Sequence, residues 1–201
     1  MHTDDMERMA GAGMNDNGSS APCYSGIGAK DTPPAMMAII DKIGVHMARH
    51  GYILRSGGAE GASTAFEQAC DRAKGKKEIY LPWQAFNKNR SMLYTVPDRA
   101  MSIVREFNPV WSTQNEASRK VQARYAMVLL GRNLAHPSAC VICYTKEGKL
   151  KGGTGQALQV AQKHGIPVFN LGAFESEPAS IDAKIREFMA AHSIPCDDLV
   201  L

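Results

Sequence analysis

The chain has 201 residues, 44% of them hydrophobic and 21% charged, with a formal net charge of +3 at pH 7. A chain of this length folds as one domain around its own core without disulfide or metal staples. No apolar stretch approaches the roughly 20 residues that span a bilayer, and no dense basic block demands duplex nucleic acid.

Residues 1–20 hold polar residues, Gly and Met without sustained periodicity, and are expected to form a flexible N-terminal tail. They lack an apolar secretory core and the five cysteines are odd in number, so the expected compartment is a reducing cytoplasm. Over residues 21–195, apolar runs of strand length alternate with segments of helical period. That pattern predicts an α/β fold: a single Rossmann-like three-layer domain with a mostly parallel sheet of about five or more strands. Residues 196–201 are expected to be a short tail.

Cys23-Tyr24 is the first strand, followed by a loop from Ser25 to Lys30. Thr32-Pro33 reads as an N-cap with proline at the first helical position, opening a helix with Met36, Ile40, Ile43 and Met47 on one face. Gly51 sits where a left-handed C-cap belongs. Tyr52 to Ser56 is the second strand, leading through Gly57 to Gly61 into a helix that buries Ala62, Phe66, Ala69 and Ala73. Glu78 to Leu81 is the third strand. Residues 83–111 show no clear period and read as an irregular insertion with a short helix near Asp98 to Phe107, long enough to be functional or to hold further structure.

Glu116 to Leu130 is a helix with a stripe of Val121, Tyr125, Val128 and Leu129, ended by Gly131. Ala139 to Tyr144 is continuously apolar, as central parallel strands are. Lys146 to Lys151 is a turn that delivers the chain to Gly152 to Gly155 and a helix ending at His164. Pro167 to Asn170 is the last strand, and Ile181, Ile185 and Phe188 mark a closing helix.

Three glycine-containing segments fall between a strand and a helix, and in an open parallel sheet all such loops share the carboxyl edge. Glycine permits close backbone approach, and the helix N-terminus behind each loop suits phosphate. The candidate ligand-binding residues are therefore Ser25, Gly26 and Gly28; Ser56, Gly57 and Gly58; and Gly152, Gly153, Thr154 and Gly155. Arg55 and Arg119 are candidate phosphate partners, since a guanidinium pairs bidentately with phosphate oxygens. Glu60 could reach a ribose hydroxyl or act as a base; Glu67 reads as a core-edge residue. Neither GxGxxG nor GxxxxGK[ST] is present, which disfavours ordinary NAD dehydrogenases and P-loop NTPases. Cys140 and Cys143 form a CxxC, yet residues three apart on a strand point to opposite faces, so both read as packing residues. The histidines show no HExxH or comparable spacing, so no metal site is expected, and no cofactor is implied.

Leu54 to Ala62 (LRSGGAEGA) and Gly152 to Gln156 (GGTGQ), the latter followed by a helix and Gly165 to Asn170 (GIPVFN), resemble the SLOG superfamily. That group includes the DNA-processing protein A family of recombination mediators, the "lonely guy" phosphoribohydrolases and nucleotide-sensing domains of bacterial defence systems. The greatest similarity is to bacteriophage DprA-like proteins, which share stretches like Lys77 to Trp83 and Asn108 to Trp111; it spans roughly residues 22–172. The resemblance implies ligand phosphate near Gly57, Gly58, Gly153 and Thr154, with Ser25, Gly26 and Gly28 completing the floor. It also implies a homo-oligomer, in a bacterial host's cytoplasm if the chain is phage-encoded. The phosphoribohydrolase pattern PGGxGTxxE is broken, because Leu150-Lys151 precede the glycines and Gln156-Ala157 bring no carboxylate.

The first functional expectation is a protein that senses or sequesters a nucleotide or nucleotide-derived ligand, signalling nucleotides included. The alternative is an N-glycosidase acting on a nucleoside monophosphate, with Glu60 or Glu116 as the carboxylate and Arg124 or Arg119 as the clamp. The second alternative is a single-stranded DNA-binding mediator that stacks bases on Trp83, Trp111 and Tyr94.

Overall fold

The computed structural model describes residues 21–201, and at its centre lies a five-stranded sheet in the order β3-β2-β1-β4-β5 with every pairing parallel. The strands are β1 (Cys23–Gly28), β2 (Ile53–Ser56), β3 (Lys77–Ile79), β4 (Cys140–Tyr144) and β5 (Val168–Asn170). The helices are α1 (Pro34–Arg49), α2 (Ala62–Arg72), α3 (Asp98–Arg105), α4 (Glu116–Leu130), α5 (Gly152–Lys163) and α6 (Ile181–Ala191). This is the expected Rossmann-like α/β domain. The N-terminal tail expected over residues 1–20 lies outside the described residues.

Alternation along the strands sorts the core into two layers. Tyr24, Leu54, Cys140, Ile142 and Phe169 pack with α1, α2 and α6 on one face, while Ile27, Val141 and Cys143 pack with α3, α4 and α5 on the other. Cys140 and Cys143 thus stand on opposite faces of β4, both fully buried, and burial pushes their thiols far above the usual range.

Two local readings are corrected. Ser25, Gly26 and Gly28 are not a loop but the body of β1, which runs six residues and pairs with β4 from Tyr24↔Cys140 to Gly28↔Tyr144. Their glycines serve packing: a Cβ on Gly26 would stand 2.6 Å from the Phe66 ring, and one on Gly28 would stand 2.5 Å from Ala62 Cβ. The absent side chains let α2 lie directly on the sheet. Thr32 does not cap α1, because its hydroxyl donates to Ala29 O at 2.7 Å; Pro33 takes the N-cap position.

The crossover from β3 to β4 carries the long segment 83–111. It holds a short turn at Phe86–Lys88, helix α3 and a second turn at Trp111–Thr113 before α4 begins at Glu116. Buried Ala100 and Val104 fix α3 in the α4–α5 layer. At the other end of the chain, residues 196–201 form no helix or strand, but they are docked. Leu199 is buried, and Arg186 of α6 donates to the carbonyls of Cys196 and Leu199.

Candidate functional site

The order β3-β2-β1-β4-β5 reverses the direction of winding between β1 and β4. The loops leaving these two strands diverge to opposite faces, and a crevice opens where they part. A cleft of about 760 Å³ occupies that place, bordered by Gly28 at the end of β1 and Thr145 just past β4. Ala59 and Glu60 before α2, Phe86 and Asn87 of the crossover, Arg124 and Tyr125 of α4, and Lys151 to Thr154 at the start of α5 complete the wall.

The first turn of α5 faces this cleft. Its N-cap position is Lys151, which offers no capping side chain. Gly155 N–H bonds back to Lys151 O, so the helix begins there with the preceding N–H groups and the positive end of its dipole directed at the opening. Gly152 adopts φ +65° with nothing within 4 Å of where a Cβ would stand, and Gly153 meets only the Tyr125 ring, at 3.4 Å. Gly155 is different: a Cβ there would lie 2.3 Å from the Leu150 carbonyl carbon, so this glycine seats the helix on its own incoming loop.

Opposite α5 stands Arg124, 2% exposed. Its Nε donates to Gly57 O at 2.9 Å and its Nη1 to Val121 O, while the guanidinium lies 4.7 Å from the Tyr125 ring centroid and 5.2 Å from that of Phe86. Neither hydrogen bond uses Nη2, and among the described residues no carboxylate pairs with this cation. Burial lowers the arginine's pKa against the opposing pull of the Tyr125 phenol.

The remaining charge of the cleft is cationic. Lys30, Lys146, Lys149 and Lys151 line it with Arg124, against the carboxylates of Glu60 and Glu147. Glu60 pairs with Lys30 at 2.6 Å and is 58% exposed, placing its carboxylate at the rim; Glu147 pairs with Lys149. The loop after β4 is rigidly held. Asn170 accepts from Thr145 N–H at 3.1 Å and donates to Thr145 Oγ1 at 2.7 Å. Glu175 accepts from Tyr144 Oη and from Glu147 N–H, both at 3.0 Å. Burial and that carboxylate together push the Tyr144 phenol up to about 12.

Of the residues expected at a site, Gly28, Glu60, Arg124, Gly152, Gly153 and Thr154 meet around the cleft. The others do not. Ser25 is fully buried and bonds Val128 O and Ser138 Oγ, and Ser56 donates to Gly26 O inside the sheet. Arg55 points beneath the end of α4, where Glu78 at 2.8 Å and His136 O at 2.6 Å satisfy it. Gly57 carries the carbonyl that Arg124 holds, and Gly58 packs against Leu81. Arg119 braces the turn before α4 by bonding Trp111 O and Ser112 O, and Glu116 pairs with Lys120 away from the cleft. Trp83, Tyr94 and Trp111 also stand outside the lining, Trp83 edge-on to Phe86 and Trp111 beneath Arg119. Sequence reading missed Phe86, Asn87 and the lysines of the β4–α5 loop. The run Lys146-Glu-Gly-Lys-Leu-Lys151, with three lysines beside a glycine pair, was the available signal.

Fold and cleft together define a doubly wound parallel α/β domain with a lysine- and arginine-lined crevice at its switch point. Known structures share that fold. The Moco carrier protein of Chlamydomonas rheinhardtii aligns with a TM-score of 0.50 at 17% identity, over 86% of this chain and 87% of that one. DNA processing protein A from Streptococcus pneumoniae aligns with a TM-score of 0.50 at 17% identity, over 75% of this chain and 50% of that one, so the chain spans half the length of that protein. The α/β fold expected from the glycine strings is thus shared with DNA processing protein A. No protein-family model matches the sequence, and no curated protein matches it either. Among the described residues, no helix is long and apolar enough to cross a membrane.

Proposed function

We propose that the protein binds a phosphate-bearing, nucleotide-type small molecule in the switch-point cleft and acts by holding it, as a sensor or sequestering protein. The observation that carries this reading is Arg124, a buried guanidinium without a carboxylate partner among the described residues, lining the cleft that the α5 N-terminus also faces. A buried charge costs several kcal/mol unless it is paired. An anionic ligand would provide the missing counter-charge, and the open glycines at the start of α5 would donate to its oxygens. The flanking Phe86 and Tyr125 rings offer apolar surface for a base, and the cleft volume falls within the range of small-molecule sites.

Holding is favoured over N-glycoside cleavage by the position of Glu60. Its carboxylate is exposed and tied to Lys30, whereas a catalytic acid or base works from a desolvated position beside the reacting bond. Trp83, Tyr94 and Trp111 stand outside the cleft, so single-stranded DNA stacked on them would occupy a separate surface. The carrier role in the name of the Chlamydomonas protein is of the proposed kind.

The test is native mass spectrometry of the purified protein, followed by denaturation and identification of what is released, and then incubation with nucleoside 5′-monophosphates. Recovery of an intact phosphate-bearing ligand, with no free base formed, is the expected result. Free base that disappears in Glu60→Gln would replace the holding reading with the hydrolytic one.

A further inference from the structure

At the opposite edge of the sheet, the last turn of α1 carries His46 and His50 on one face, four residues apart. The C-terminal segment brings Asp198 against them. Asp198 Oδ1 lies 2.8 Å from His50 Nε2 and 3.4 Å from His46 Nδ1, and the three ligating atoms all fall within 4.8 Å of one another. We infer that these residues form a zinc site that clips the C-terminal segment onto α1.

The hydrogen bonding of His46 carries the argument. Its ring is 95% buried, and its Nε2 stands 2.8 Å from Pro195 O. A carbonyl only accepts, so Nε2 bears the proton and Nδ1 of the neutral ring keeps its lone pair. That lone pair faces a carboxylate oxygen at 3.4 Å. Two acceptors so placed repel unless a proton or a metal ion lies between them. A backbone carbonyl on the distal ring nitrogen is also what orients a metal-bound imidazole.

The chemistry suits zinc. Imidazole and carboxylate are its ordinary nitrogen and oxygen ligands, and bonds of about 2.0–2.2 Å place tetrahedral ligands about 3.3 Å apart. The observed separations bracket that value. Asp198 is 63% exposed, so it can shift outward to admit the ion, and the exposed side leaves a position for water. The site closes at a helix C-terminus, where the dipole favours a cation. His46 and His50 have the i, i+4 spacing of a helical ligand pair, which the sequence reading passed over because Met47 stands where HExxH has glutamate; the third ligand lies 148 residues beyond His50.

The experiment titrates zinc chloride into chelator-treated full-length protein by calorimetry at pH 7.5, with thermal unfolding measured in parallel. The expected result is about one zinc ion per chain and a rise in Tm that EDTA reverses. His50→Ala and Asp198→Ala act at less buried positions than His46 and should fold. Each should weaken zinc binding by at least about tenfold, since even the loss of an outer-shell partner weakens a metal site by 10- to 100-fold. A control with His2, His136, His164 and His192 all replaced by alanine should keep both the affinity and the Tm shift. Absence of zinc binding, unchanged binding in His50→Ala and Asp198→Ala, or loss of binding in the control overturns the inference; in the first case a proton occupies the gap.

Discussion

The loops that open α2 and α5 look alike in sequence, each a strand followed by paired glycines and a helix, yet they are built for different purposes. In the β2–α2 loop every glycine is occupied by the protein itself. Gly61 has φ +79° with the Ala29 carbonyl oxygen 2.3 Å from where a Cβ would stand, Gly58 packs on Leu81, and Ala62 N–H donates to Ala29 O. In the β4–α5 loop, Gly152 and Gly153 stand open and the helix has no capping side chain. A glycine cluster before a helix therefore marks a close approach, and only the surroundings reveal whether the approaching group is the protein or a ligand.

The largest expected effect separates the two loops directly. Gly61→Ala places a methyl group against fixed backbone as well as in a left-handed conformation, and should cost about 3 kcal/mol or more in urea-monitored stability. Gly152→Ala shares the positive φ but meets nothing, and should cost only about 1 kcal/mol. Equal losses would erase the distinction.

Arg124 holds the closed loop through Nε on Gly57 O and also lines the cleft that the open loop borders. Arg124→Met should change the stability of the ligand-free protein by less than about 1 kcal/mol, because the two lost hydrogen bonds are offset by removing a buried charge with no carboxylate partner. The same change should weaken a phosphate ligand by about 2 kcal/mol, roughly 30-fold, in calorimetric titration. Lys151→Glu, on the open loop, should weaken it by about fivefold, and raised salt should shrink that difference.

The smallest effect lies beside the closed loop. Glu67 of α2 accepts from Asn89 at 3.0 Å and is largely buried, and burial raises its pKa against the opposing pull of Asn89 and Lys77. A carboxyl whose folded pKa is raised contributes stability below its unfolded pKa and loses it as pH rises through the folded value. Glu67→Gln should therefore gain on the wild type as pH rises through and above the ordinary glutamate range, by less than about 1 kcal/mol in chemical denaturation.

How far the sequence reveals this molecule depends on which interactions are local. Helix α4 follows its expected bounds from Glu116 to Leu130 because Asn115 caps it, accepting from Ser118 N–H, and Gly131 at φ +78° ends it. The β1 glycines misled because glycine in a strand, present to admit Phe66 and Ala62, has the composition of a loop. Arg124, three residues after Val121 and four before Val128, borders the apolar stripe of its helix more closely than Arg119 or Lys120, but no periodicity says that it packs against Phe86. Phe86 and Asn87 reach the cleft from a segment with no repeating pattern, placed by hydrogen bonds such as Asn87 Nδ2 to Gly58 O at 3.0 Å. These are tertiary facts.

The most direct test of a phosphate-receiving cleft is calorimetric titration of the protein with a nucleoside 5′-monophosphate and with the matching nucleoside. The account predicts binding of the monophosphate, loss of most of that affinity in Arg124→Met, and little or none for the nucleoside. Equal binding of the two, or monophosphate binding that survives Arg124→Met unchanged, would contradict it.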